Sequence, residues 1–215
     1  YKSIPATRVI HDFYELNPSL GFYGGGGIDG RHYARGTPLN SALMSGMFGG
    51  PKWGADYKKD LEQEFTHTAA FDGHTTSLPL ATNTVTLDPT LKDKWGRPAL
   101  RCTYMDHPDD LATMKFFFDK TGELMEAAGA IRQAGSYPKN GQEGNVHLLG
   151  TCRMGNDPAS SVVDKYHRSH DVSNLFICDG SSLVTSGRGQ PTMTIMALAF
   201  RAADHMIQSA RRGEI

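Results

Sequence analysis

An α+β fold, with an antiparallel sheet and helices followed by a C-terminal strand and helix, follows from three patterns in the chain. Thr82-Asn83-Thr84-Val85-Thr86-Leu87 alternates polar and apolar residues with period two, as a half-buried strand does, and Ala99-Leu100-Arg101-Cys102-Thr103-Tyr104 reads as its returning partner. Two stretches, after Pro108 and after Pro191, carry apolar residues at helical spacing. Between them Leu175-Phe176-Ile177-Cys178 is a short apolar run that stops at Asp179-Gly180, the pattern of a buried strand.

Residues 1–55 are rich in glycine and poor in periodic runs. Gly24-Gly25-Gly26-Gly27 predicts flexible backbone in a surface or lining loop. It does not read as a phosphate loop, because no β-branched strand leads in, no helix pattern follows and no Gly-Lys-Ser/Thr ending is present. Glu64-Phe65-Thr66-His67-Thr68 predicts a strand, and Asp88-Pro89 predicts the end of the strand over residues 82–87. A turn at Lys94-Trp95-Gly96-Arg97-Pro98 then makes a hairpin with a long loop.

His107-Pro108-Asp109-Asp110 opens the first strongly patterned helix, with His107 as its cap and two carboxylates at the positive helix end. Adjacent helical residues do not face each other, so Asp109 and Asp110 are expected as solvated carboxylates, not an acid/base pair. Leu111, Met114, Phe117, Phe118, Leu124, Met125 and Ala128 continue this helix, and Gly129 stops it. Residues 131–145 form a polar connector, and residues 161–164 a short strand. The last helix opens at Pro191, follows Met193, Met196, Ala197, Phe200, Ala203 and Ile207 along its apolar face, and closes at Arg211-Arg212-Gly213.

The composition of the 215 residues, with net charge −1 and 39% hydrophobic residues, is that of an ordinary soluble protein able to bury a core. So small a net charge argues against nucleic acid as a partner. No run approaches the ~18 apolar residues of a membrane span. The start at Tyr1, without a charged-then-apolar leader, reads as a fragment or processed chain. Three cysteines without Cys-x-x-Cys spacing predict neither a disulfide framework nor a metal site. Cys178 reads as a small buried hydrophobe, and Arg153 as a structural residue paired with a carboxylate.

Three segments carry the side chains suited to chemistry. His147, ahead of Gly150-Thr151-Cys152-Arg153-Met154-Gly155, has the ring that takes a proton from an alcohol near neutral pH; it is also one of nine histidines. Asp179-Gly180 ends an apolar strand, where open sheets bind ligands; the carboxylate can accept from a ribityl or ribose hydroxyl, or organise a turn. Gln190-Pro191-Thr192-Met193 places free N–H groups at a helix start, which attract an anion or a polarised carbonyl, or are simply capped. Cys152 near His147 raises a cysteine–histidine hydrolase, which predicts thiol-reagent sensitivity, although no base-orienting pattern accompanies it.

Taken in order, these segments resemble the C-terminal signatures of the glucose-methanol-choline (GMC) family of FAD-dependent oxidoreductases. They are His-x-x-Gly-Thr-Cys-Arg-Met-Gly at residues 147–155, Ser161-Val162-Val163-Asp164, Asn174-Leu175-Phe176-Ile177-Cys178-Asp179-Gly180-Ser181, and Pro191-Thr192-Met193-Thr194-Ile195-Met196-Ala197-Leu198-Ala199. Val85-Thr86-Leu87-Asp88-Pro89, Trp95-Gly96 and residues 104–110 resemble the bacterial sugar and polyol branch, so the likeness runs from about residue 60 to the end.

The resemblance implies that His147 accepts the substrate hydroxyl proton while hydride passes to FAD. Gln190 falls where the family has a second His or an Asn; its amide can orient an alcohol but cannot act as a base near pH 7. Asp179, Gly180, Gln190, Pro191, Thr192 and Met193 match positions lining the cofactor. No Gly-x-Gly-x-x-Gly strand–turn–helix occurs in the chain. The implied organisation is a lead-in at residues 1–55, a substrate-binding domain at 56–145, and a catalytic segment at 146–215 whose strand and helix complete a Rossmann-like FAD domain built mostly elsewhere. The implied partners are a sugar, polyol or similar alcohol, the N-terminal FAD-binding portion, and an electron-acceptor protein. The alternative is a binding module of the same fold without catalysis.

Overall fold

The computed structural model describes residues 8–31, 39, 53–139 and 147–215. About half of the lead-in, the end of the polar connector, and Asn145 and Val146 ahead of His147 lie outside the described residues. The chain divides into two compact units, Tyr1–Thr75 with Leu111–Lys139 and Thr76–Asp110 with Asn140–Ile215. Among the described residues the architecture is α+β, with antiparallel sheets and helices.

In the first unit, strands β1 (Arg8–Ile10), β2 (Gly26–Arg31) and β3 (Ala70–Thr75) form an antiparallel sheet in the order β1-β2-β3. Helix α1 (Tyr57–His67) precedes β3, and most of helix α2 (Pro108–Ala127) belongs to this unit. Phe22, Ile28 and Phe117 form its buried core. The Phe13 ring meets that of Phe116 edge-on, with centroids 5.1 Å apart, which suits the aromatic quadrupole.

The glycine tract is not the predicted surface loop: Gly24 to Gly27 are buried, and Gly26 and Gly27 lie in β2. Glycine is needed here for close approach. A Cβ at Gly26 would stand 2.0 Å from the His74 carbonyl oxygen and 3.0 Å from the Phe117 ring. The predicted strand at residues 64–68 is also overturned, since α1 runs to His67. The Lys-, Glu- and Gln-rich run upstream nucleates a helix, and propagation carries it through residues whose own preference is for strand.

The second unit holds the hairpin of β4 (Thr84–Lys92) and β5 (Pro98–Thr103). Val85 lies opposite Cys102 and Leu87 opposite Leu100 in its antiparallel register. Asp88-Pro89 does not end β4. Its pairing shifts register between Leu87 and Lys92, where the Asp88 carboxylate accepts from the N–H groups of Thr90 and Leu91 and absorbs the irregularity. Gly96, at φ 80, supplies the left-handed turn residue.

His107 caps α2 as the sequence implies, its Nδ1 accepting from the Asp109 N–H at 3.1 Å. Asp110, expected in solvent, is 2% exposed and accepts from the Leu78 N–H and the Ser77 hydroxyl. The segment that folds back beside the helix start supplies those donors, which helical spacing cannot reveal. Burial nevertheless pushes the Asp110 carboxyl above its ordinary range, against these hydrogen bonds and the nearby His107.

The last helix, α3 (Thr192–Arg211), is capped by Pro191 and ends at Arg212, with Gly213 at φ 71. Its buried positions are Ala202 and Ser209, whereas Met193 is 74% and Phe200 73% exposed. The expected core face at Met193, Met196, Phe200 and Ile207 is therefore exposed. Ile195, Leu198, Ala199, Ala202, His205 and Ser209 recur on the opposite stripe and are turned inward, and the small Ala202 and Ser209 are the fully buried ones.

Candidate functional site

The second unit brings the three segments together at Gly180. Asp179 ends the extended run from Phe176 and caps the 3-10 turn Gly180–Ser182. Its Oδ1 accepts from the Ser181 N–H at 2.8 Å and from the Ser181 hydroxyl. Those two bonds hold the Asp179 carboxyl below its usual range. Of the alternatives open in the sequence, Asp179 thus organises a turn through one oxygen, while its Oδ2 carries no hydrogen bond among the described residues.

The turn is the template for the His147 segment. The Cys152 N–H donates to the Ser181 carbonyl at 2.9 Å, and the Met154 N–H to the Ser182 carbonyl at 2.8 Å. Gly150, at φ 89, lets the chain bend into this pairing; a Cβ there would stand 3.3 Å from the Leu183 carbonyl oxygen. A Cβ at Gly180 would stand 2.7 Å from Leu149 Cδ2 and 3.1 Å from Ile195 Cδ1. Leu149 follows His147 by two residues and Ile195 lies in the first turns of α3, so all three segments meet at one residue without a side chain.

The surrounding chain is held by hydrogen bonds more than by strands. Residues 161–164 make no regular strand; Val163, fully buried, bridges Met154 and Ser169 singly. The 175–178 run makes one bridge, Arg168 to Phe176. Cys178 is half-buried, and burial with the nearby Asp179 charge pushes its thiol up. Among the described residues Arg153 pairs with no carboxylate; its Nε donates to the Ser160 carbonyl at 2.6 Å, because the 153–163 loop turns a backbone oxygen toward it. His170 Nε2 lies 2.9 Å from Ser161 Oγ and 3.2 Å from the Gly155 carbonyl, tying that loop to the next. Nothing in the sequence pattern singled out this histidine.

His147 is half-buried and makes no hydrogen bond among the described residues. Gln190 is exposed, and no hydrogen bond joins it to His147. Pro191 caps α3 without a side-chain hydrogen bond, and the first turn, with Thr192 and Met193, holds no acidic residue. Cys152 makes no hydrogen bond to His147. Among the described residues no cluster of His, Cys, Asp or Glu could hold a metal ion, and no helix is long and apolar enough to cross a membrane.

Comparison with known proteins places these segments in a family. The family model for the C-terminal part of GMC oxidoreductases matches residues 79–199. The chain is similar to the 2-methyl-1,2-propanediol dehydrogenase of Mycolicibacterium austroafricanum, 39% identical over 94% of this chain and 36% of that protein. It is similar also to the 6'''-hydroxyparomomycin C oxidase of Streptomyces lividus, 37% identical over 74% of the chain and 29% of the relative. A third relative is the gluconate 2-dehydrogenase flavoprotein of Pantoea cypripedii, 30% identical over 72% and 26% respectively. The chain thus spans about a third of the length of the curated relatives it matches. With the model over more than half of its residues and a relative aligned across nearly all of them, the chain belongs to the GMC oxidoreductase family.

Proposed function

We propose that this chain is the C-terminal part of a FAD-dependent oxidoreductase that oxidises a CH–OH group of a sugar, polyol or similar alcohol. The observation that carries the reading is the meeting of the three segments at Gly180, with Leu149 on one side and Ile195 on the other. In sequence they are about 30 and 15 residues apart, and a shared ligand site accounts for their convergence there. The names of the relatives, a diol dehydrogenase and a gluconate dehydrogenase flavoprotein among them, agree with this class.

The residues present fit the cofactor. The first turn of α3 offers N–H groups with no side-chain cap and no competing carboxylate, which suits an electron-rich edge. The loop before it leaves open space at Gly187 and Gly189, where a Cβ would meet nothing within 4 Å. When bound, FAD supplies the hydride acceptor. His147 accepts the hydroxyl proton at an imidazole nitrogen, and no described residue ties up its ring with a hydrogen bond. Gln190 orients the hydroxyl through its amide, and Asp179 offers its open oxygen to a cofactor hydroxyl. Thr192 and Met193 hold the cofactor edge through their N–H groups at the positive helix end.

The exposed stripe at Met193, Met196, Phe200 and Ile207 supports the proposal that α3 and the strand before it complete a Rossmann-like domain supplied mainly by the N-terminal portion. On this reading residues 56–145 bind substrate, residues 146–215 carry catalysis, and electrons leave to a separate acceptor protein. The test is His147→Ala in the complete protein, followed by stopped-flow flavin reduction with a panel of sugars and polyols. A loss of 100-fold or more in reduction rate with FAD content unchanged is expected, on the order of general-base contributions. An unchanged rate would remove His147 from the chemistry, and a complete protein that binds no flavin would favour the binding module.

A further inference from the structure

His167 is a buried side chain that the mechanism above does not use. It is the only non-glycine residue with positive φ among the described residues, at 66°. A side chain in the left-handed region is held there against its own preference, so surrounding contacts must fix it. Two sets do. The Asp164 carboxylate accepts from the N–H groups of Tyr166 and Arg168, while the His167 N–H donates to the Asp164 carbonyl. The ring itself, with the residue 2% exposed, lies with Nδ1 2.8 Å from the Ile177 carbonyl oxygen.

A carbonyl only accepts, so Nδ1 carries the proton of this bond. The Ile177 N–H donates back to the His167 carbonyl at 2.9 Å. His167 and Ile177 therefore exchange two hydrogen bonds, two residues before Asp179. The other ring nitrogen, Nε2, is buried and has no hydrogen-bond partner among the described residues. An imidazole sunk this deeply, on strained backbone and with one nitrogen unpaired, is costly for the fold alone.

We propose that His167 is a positioning residue for the cofactor-facing strand end, its Nδ1–H strap on Ile177 setting the direction in which Asp179 Oδ2 and the Gly180 turn meet the flavin. The inference rests on the flavin reading of that strand end. Asparagine tolerates the left-handed region and places its amide nitrogen where Nδ1 stands, whereas glutamine places it one bond further out. His167→Asn should keep the strap, and His167→Ala and His167→Gln should lose it.

The experiment is titration of the complete apoprotein with FAD, followed by flavin fluorescence, for wild type and the three variants, with the urea midpoint of each measured alongside. Loss of one well-placed hydrogen bond corresponds to about tenfold in affinity. The expected result is an FAD Kd raised about tenfold in the Ala and Gln variants and within about threefold of wild type in the Asn variant. Equal affinity in all four proteins overturns the proposal, as does rescue by Gln in place of Asn. Affinity that simply follows the urea midpoint makes His167 structural only and also overturns it. A wild type that binds no FAD is a different result, which removes the flavin reading and this inference together.

Discussion

Adding one methyl group at Gly180 tests whether the three segments meet as described. In Gly180→Ala the new Cβ stands 2.7 Å from Leu149 Cδ2 and 3.1 Å from Ile195 Cδ1. Overpacking of this kind costs about 1–3 kcal/mol, and the nearer atom is the end of a flexible side chain, which puts the cost near 1–2 kcal/mol. Leu149 is only half-buried, so Leu149→Ala alone should cost about 1–2 kcal/mol, below the roughly 2–5 kcal/mol for truncating a fully buried leucine. In the double variant the closer clash is gone. The cost of the double variant should fall short of the sum of the two single costs by about 1 kcal/mol, a coupling typical of residues in contact. Urea unfolding followed by far-ultraviolet circular dichroism measures all four proteins of the cycle. Additivity within about 0.3 kcal/mol would show that Leu149 and residue 180 do not touch, and the convergence argument would fail with it.

Asp110 gives a pH-dependent prediction. Its folded pKa lies above the ordinary 3.8, so the protonated form favours the fold; that contribution is complete below 3.8 and is lost as pH rises through the raised value. Asp110→Asn should flatten this dependence in urea midpoints taken across the acid range, and an unchanged slope would assign it elsewhere. Asp110→Ala leaves the Leu78 N–H and the Ser77 hydroxyl without an acceptor and should lower stability by about 1–3 kcal/mol at neutral pH. His107→Ala removes the cap of α2 and should cost about 0.5–1 kcal/mol, restored by His107→Asn; equal losses in both variants would deny the cap. Phe200→Ser should leave the urea midpoint of this chain unchanged to within about 0.5 kcal/mol. In the complete protein it should weaken flavin retention, and retention at the wild-type level would argue against α3 packing on the N-terminal portion.

Much of the local structure was legible because single residues carry it. Pro108 with His107, and Gly129 beyond Ala127, bracket α2; Gly96 turns the hairpin; Pro191 and Gly213 bracket α3. Where the reading failed, a partner distant in sequence decided. Gly26 looked like loop until the backbone of β3 came within contact distance of it. Asp110 looked solvated until residues 77 and 78 folded against it. The strand preference of Phe65 and Thr66 yielded to a helix already running from Tyr57. His167 and His170 were illegible, because histidine has no periodicity of its own and both take their roles from carbonyls about ten and fifteen residues away.

The sequence by itself determined the family motifs and their order and the starts and stops of the long helices, and it put His147 ahead of Gln190 in the proposed role of base, since an amide cannot take a proton near neutral pH. Only the tertiary structure decided that Asp179 uses one oxygen to cap its own turn, that Gly180 is the meeting point of three segments, and that the inward stripe of α3 is the one through Ala202 and not the one through Phe200. The physical reason is the range of the interactions. Capping, turn chemistry and acid–base character are properties of a few neighbouring residues, whereas burial and close approach depend on which distant segment arrives to fill the space.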